Sequence, residues 1–105
     1  MQIRWHNHLN GGHEEELSRI ETKLERIVRR AGSGNDDATL DVNLKHTDTR
    51  PSFSVALSLN MRHHTLYSEK RGDNIWAAAE DAVQALLHEI DALKDKQLAK
   101  RNPTG

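Results

Sequence analysis

The sequence contains no cysteine, two prolines, and four aromatic residues: two tryptophans, one tyrosine and one phenylalanine. Without cysteine the chain cannot form disulfides, thiolate nucleophiles or cysteine-ligated metal centres, so any metal would need histidine or carboxylate ligands. The chain also lacks an uncharged apolar run of 18 residues and a charged-then-apolar secretory signal at its N-terminus. We therefore expect a cytoplasmic protein without a membrane partner.

The charges nearly cancel, because 15 Lys and Arg residues oppose 16 Asp and Glu residues and leave a formal net charge of -1. They are nevertheless segregated along the chain. Residues 94–105 contain four basic residues against Asp95 alone, whereas residues 73–91 contain five acidic residues and no Lys or Arg. A basic surface can therefore form despite a net charge near zero.

The spacing of apolar residues predicts six elements in the order β-α-β-β-β-α. Alternation predicts strands over residues 2–9, 39–45, 52–59 and 64–70, and helical spacing predicts a first helix from residue 14 to near Gly32. A second helix should begin after an N-cap at Asp73 or Asn74 and fray between Ala99 and Asn102.

This order predicts one α+β domain over residues 1–105, with a four-stranded sheet, both helices on one face, and residues 102–105 as a frayed tail. The first two strands should be parallel, because a helix connects them, and the later neighbours antiparallel, with the fourth strand at an edge. Expected core residues are Phe53, Val55, Leu57, Leu86 and Ile90.

Four basic residues of the first predicted helix share one face. They are Arg19, Lys23, Arg26 and Arg30, and their spacing confines them to an arc of about 60°, centred about 120° from the apolar stripe. A solvated face balanced by acidic neighbours is the ordinary explanation of such a pattern. The competing interpretation is a surface that contacts nucleic-acid phosphates.

A second basic group closes the last predicted helix. It consists of Lys94, Lys96, Lys100 and Arg101. By itself this group is explained by the helix dipole, which favours cations in the last turns. If the two helices pack side by side, however, both basic groups reach one rim and form a candidate RNA-binding surface.

The seven histidines are the other conspicuous feature. His6 and His8 would project from one face of the first strand, where two imidazoles can chelate a metal, and His63 and His64 lie beside a turn. Because the sequence fixes no third ligand nearby, polar filling of an open sheet face is favoured. No glycine-rich phosphate loop, nucleophile elbow or paired-carboxylate motif is present. We predict no metal, no cofactor and no catalytic residue, so the protein is not expected to be an enzyme.

Two segments carry a family resemblance. The run Gly-Asp-Asn-Ile-Trp-Ala-Ala at residues 72–78, continuing through Val83, Leu86, Ile90 and Lys-Asp-Lys at residues 94–96, resembles the last helix of the ribosome hibernation promoting factor family, also described as sigma-54 modulation proteins. The run Lys-Leu-Glu-Arg-Ile at residues 23–27 resembles the end of the family's first helix. The sequence departs from the family at Trp76, usually Tyr, and at four positions of the last helix that are often charged or basic: Gln84, Ala85, His88 and Ala92.

The resemblance implies a short form of this family. Such a protein would be a non-enzymatic, RNA-binding translation regulator of the stress response, silencing idle ribosomes at the small ribosomal subunit and its ribosomal RNA. By motif position it implies contacts from Lys23, Arg26, Lys94 and Lys96. Two alternatives stay open: a protein-interaction module without RNA affinity, using the acidic segment 80–91 or the exposed sheet face, and a general double-stranded RNA-binding domain.

Overall fold

The computed structural model describes residues 1–9, 11–31 and 37–101, with side chains described through residue 96. Its elements are β1 (Gln2–His8), α1 (Glu14–Ala31), β2 (Thr39–His46), β3 (Phe53–Asn60), β4 (Thr65–Gly72) and α2 (Ile75–Arg101). The sheet order is β1-β2-β3-β4, in which β1 and β2 are parallel and the other pairs antiparallel. The predicted α+β fold and the edge position of β4 are confirmed. The predicted tail at residues 102–105 lies outside the described residues.

Strict alternation in the two central strands separates the faces of the sheet. Val42 lies opposite Leu57, and Leu40 opposite Leu59, and all four side chains are fully buried. The intervening residues, such as Asp41, point to the other face, because successive side chains of a strand alternate. One face is thus apolar and covered, and the other is polar and open.

Both helices pack their apolar stripes on the covered face and share one core with the sheet. α1 contributes Ile20, Leu24 and Ile27, each fully buried. The buried stripe of α2 contains Ile75, Ala78, Ala79, Ala82, Val83, Leu86, Leu87 and Ile90. Its alanines permit a close approach to β4, where the buried Ser68 hydroxyl donates a hydrogen bond of 2.8 Å to the Ala82 carbonyl.

The ends of the elements follow from local hydrogen bonds. The Asn74 side-chain oxygen accepts a 2.7 Å hydrogen bond from the Ala77 amide, which identifies Asn74, and not Asp73, as the N-cap of α2. β4 extends two residues beyond its predicted end, because pairing with β3 continues until Gly72 lies opposite Phe53.

Two large aromatic residues near the ends and edge of the sheet are only partly buried. Phe53, expected in the core, is only partly buried at the end of β3, where the rings of His13 and His46 contact it. Trp5 lies on the helix-covered side of β1 but remains 38% exposed, because β1 is an edge strand. The described helices include none that is long and apolar enough to cross a membrane.

Candidate nucleic-acid interface

The helices α1 and α2 lie side by side. The basic stripe of α1 consists of Arg19, Lys23, Arg26 and Arg30, and Lys23 lies at the seam between the two helices. Its Nζ is 3.6 Å from Glu80 Oε1 and 5.5 Å from the ring centroid of Trp76. The ring therefore attracts the ammonium group through its quadrupole while the carboxylate balances its charge. Lys23 is partly buried and held in place from two sides.

Two further basic residues meet near the C-terminus of α1. Arg30 Nη1 is 3.7 Å from Asp91 Oδ1, and Lys94 Nζ donates a hydrogen bond to the backbone carbonyl of Arg30. The latter contact satisfies a carbonyl in the last turn of α1, where the helix dipole favours a cation. Since Lys23 meets Glu80 and Arg30 meets Asp91, the two helices run parallel.

The other two members of the stripe remain open to solvent. Arg19 and Arg26 are exposed, and within the described part of the chain neither forms an ion pair or a side-chain hydrogen bond. Their guanidinium groups can therefore bind an anion without giving up a protein partner. Each presents planar donors that match a phosphate in a bidentate manner.

The terminal basic group is only partly united with this stripe. Lys94 joins it at the seam, whereas Lys96, two residues further on, lies about 200° away around the α2 axis. Lys96 is exposed, but it belongs to a different side of the helix. Lys100 and Arg101 fall in the last turn of α2, and their side chains lie outside the described residues.

The acidic partners of the stripe were not predicted from the sequence. Glu80 and Asp91 are 11 residues apart, which places them within about 20° of each other on one side of α2. Their common side of α2 is a signal that the sequence offers. Their 11-residue interval differs from the seven-residue interval between Lys23 and Arg30, however, so the sequence does not predict which acid pairs with which base. The candidate RNA-binding surface is consequently lined by both signs of charge, with the unpaired cations on its outer side.

The open sheet face carries a separate polar cluster centred on Asp41. Its Oδ1 lies 3.2 Å from His6 Nε2 and 3.3 Å from Arg4 Nε, and its Oδ2 accepts a 2.9 Å hydrogen bond from Asn60. His6 thus fills the open face as a hydrogen-bonded polar residue. Among the residues that the structure describes, no three His, Asp or Glu side chains are grouped as metal ligands.

Comparison with solved structures identifies proteins of the same fold. The chain is similar to the N-terminal domain of Protein Y from Thermus thermophilus, with a TM-score of 0.61 and 14% identity over 88% of this chain and 94% of that one. It is also similar to a ribosomal subunit interface protein from Coxiella burnetii, with a TM-score of 0.67 and 15% identity over 90% and 99% of the two chains. The fold implied by the resemblance to the ribosome hibernation promoting factor family is confirmed. No protein-family model and no curated protein matches the sequence.

Proposed function

We propose that this protein is a non-enzymatic, ribosome-associated translation regulator that binds ribosomal RNA of the small subunit and silences idle ribosomes. The observation that supports this most is its fold, shared over 90% of the chain with a ribosomal subunit interface protein. The second support is a basic stripe on the helical side of the molecule. Binding alone would block the ribosome, so the function requires no catalytic residue or cofactor.

The chemistry of the stripe suits RNA phosphates. Arg19 and Arg26 are exposed and unpaired within the described residues, so they bind phosphate without first breaking an ion pair. Lys23 and Arg30 are 3.6 and 3.7 Å from carboxylates and can exchange these for phosphates. Since such contacts read backbone and shape, the fold of ribosomal RNA, and not a base sequence, would set the binding position.

The decisive experiment measures co-sedimentation with purified small ribosomal subunits at several salt concentrations. The double variant Arg19→Glu and Arg26→Glu removes the two unpaired cations without disturbing the seam between the helices. If each contacts one phosphate, binding weakens and the salt slope falls by about 1 per contact, or about 2 in total. If this variant folds and still binds with unchanged affinity, the basic stripe is not the surface that contacts ribosomal RNA.

A charge-matched control separates local contacts from net charge. Arg29 and Arg62 are also exposed, and Arg29 makes only a surface ion pair with Glu25. The double variant Arg29→Glu and Arg62→Glu carries the same net charge, and we expect it to retain most of the affinity. An excess of a generic RNA duplex should compete poorly, whereas full competition would favour the general double-stranded RNA-binding alternative.

The interaction-module alternative loses part of its proposed surface. Of the acidic segment 80–91, Glu80 and Asp91 face α1 and pair with its cations. Only Asp81 and Glu89 remain exposed without such a partner in the described chain. If the parent protein did not bind ribosomes at all, the interaction-module alternative would be favoured over the proposed function.

A further inference from the structure

A groove lies between the outer edge of β1 and the N-terminal half of α1, on the side of α1 away from the basic stripe. It has a volume of about 300 Å³ and is lined by Trp5, Asn7, Glu14, Leu17, Ser18 and Glu21. Trp5 is 38% exposed there, which is unusual for the largest apolar side chain. Tryptophan with one face open is typical of binding surfaces.

The backbone of β1 offers the second feature of this groove. The Gln2 amide donates to the Ala38 carbonyl on the β2 side, so by alternation the amides of Ile3, Trp5 and Asn7 point to the free edge. No strand of the described chain pairs with this edge. Because these residues also carry the side chains on the helix side, an added strand would extend directly under the groove.

The two edges of the sheet differ in how they are protected. β4 carries Glu69, Lys70 and Arg71 in succession, all exposed, and α2 packs against it. Charged side chains and a covering helix are common protection against pairing with another chain. On its helix-covered side β1 carries no charged residue, and its exposed cation, Arg4, lies on the open face in an ion pair with Asp41. No helix of the described chain packs along its free edge as α2 does on β4, so β1 is the edge that remains suited to strand addition.

The rim of the groove specifies the charge of its occupant. Glu14 and Glu21 line it, and no basic side chain does. Lysine on an added strand could lay its aliphatic stem along Trp5 and Leu17 and place its ammonium group beside these carboxylates. A second copy of this chain fits poorly, because pairing two β1 edges would bring both acidic rims together.

We propose that the β1 edge binds an extended, basic peptide segment of a partner protein by strand addition, with an apolar side chain on Trp5 and lysines beside Glu14 and Glu21. This goes beyond ribosomal RNA binding, because it uses the opposite flank of α1 and a partner of opposite charge. α1 would then present two recognition surfaces: a basic flank toward RNA and an acidic flank toward a peptide.

The test titrates the full chain with the capped peptide Thr-Lys-Thr-Leu-Thr-Lys-Thr, whose lysines and leucine share one face when extended. Amide chemical shifts should change saturably at Ile3, Trp5 and Asn7. Replacing both lysines of the peptide by glutamate should weaken binding at least about fivefold, since both charges are reversed beside the acidic rim. Methylating the backbone nitrogens of its leucine and of the threonine that follows should abolish binding. The amides of two successive residues point to opposite sides of a strand, so one of these two must face β1 in either strand direction.

Protein variants locate the site. Glu21→Lys should weaken binding about fivefold, whereas Glu25→Lys, one turn further and outside the groove, should not. Trp5→Ala should abolish binding and Tyr67→Ala, the exposed aromatic of β4, should leave it unchanged. Glu21→Lys changes only a surface side chain of α1, so it still tests the site if the Trp5→Ala variant does not fold.

Several results would overturn the proposal. These are the absence of saturable shifts, shifts confined to β4 or the basic stripe, equal binding of the glutamate peptide, or undiminished binding to Glu21→Lys. Shifts at β1 that grow with protein concentration in the absence of peptide would identify a second copy as the occupant instead.

Discussion

Lys23 of α1 and Glu80 of α2 face each other across the helix seam, with Nζ 3.6 Å from Oε1. Arg30 and Asp91 repeat this arrangement about two turns further along α1, at 3.7 Å. All four side chains are partly exposed, so the pairs contribute little to stability. Their larger effect is on the electrostatic potential of the stripe, which α2 partly neutralises.

The first prediction tests this neutralisation and rests on the proposed RNA binding. The double variant Glu80→Gln and Asp91→Asn should bind small ribosomal subunits about three- to tenfold more tightly at low salt, because two charges that repel phosphate are gone. The free energy of unfolding should change by less than about 1 kcal/mol. Co-sedimentation and a denaturant titration measure the two quantities.

The matched comparison is Asp81→Asn with Glu89→Gln, which removes the same charge from exposed acids away from the seam. Its effect on affinity should be smaller than that of the seam variant. Equal gains from both variants would show that net charge, and not the pairs with Lys23 and Arg30, limits binding.

The second prediction concerns the core. Leu86 is fully buried in α2 against the sheet, so Leu86→Ala should lower the free energy of unfolding by about 2 to 5 kcal/mol through lost burial and a residual cavity. His88, two residues further and exposed, provides the control: His88→Ala should change stability by less than about 0.5 kcal/mol. Urea denaturation of both variants measures these changes. A urea midpoint for Leu86→Ala as high as that of the parent protein would contradict the burial of this side chain.

The third prediction concerns the start of α2. Asn74→Ala removes the side-chain oxygen that accepts from the Ala77 amide and should cost about 0.5 to 2 kcal/mol of stability. Asn74→Asp keeps an acceptor in the same place and should retain most of that stability. Thermal denaturation of both variants measures the difference. Equal losses from Ala and Asp would show that the oxygen does not cap the helix.

The elements that the sequence predicted correctly are those with a local cause. Alternation of Val42 and Leu57 with polar neighbours determines which face of the sheet is buried. The polar residues Asp73 and Asn74 mark the beginning of α2 at Ile75. These signals depend on residues a few positions apart, so they can be read without the fold. The same holds for the alignment of Arg19 and Arg26 on one side of α1.

The features that escaped prediction depend on packing between distant segments. The pairing of Arg30 with Asp91 requires the relative shift of two helices, and the contact of His6 with Asp41 requires the register of β1 on β2. Phe53 and Trp5 follow the predicted alternation but lie where the helices cover the sheet incompletely. Periodicity gives the direction of a side chain, whereas its burial depends on what lies above it.

The last prediction concerns Tyr67, the only tyrosine of the chain, on the open face of β4. Partial loss of hydration raises its pKa above the ordinary 10.0, and the negative charge of Glu69 and a hydrogen bond to its side chain raise it further. Because the folded state disfavours the tyrosinate, the stability linked to Tyr67 is complete below the unfolded-state pKa and is lost as pH rises through the folded-state value. Titration of the tyrosinate absorbance should give a single transition above pH 10.0.

The variant Glu69→Gln should move the midpoint of this transition downward. The midpoint should stay above the ordinary value, since the loss of hydration remains. Lys70→Gln alters the charge at a neighbouring residue on the opposite side of the strand and should shift the midpoint less. A midpoint unaffected by Glu69→Gln would exclude the carboxylate as a cause.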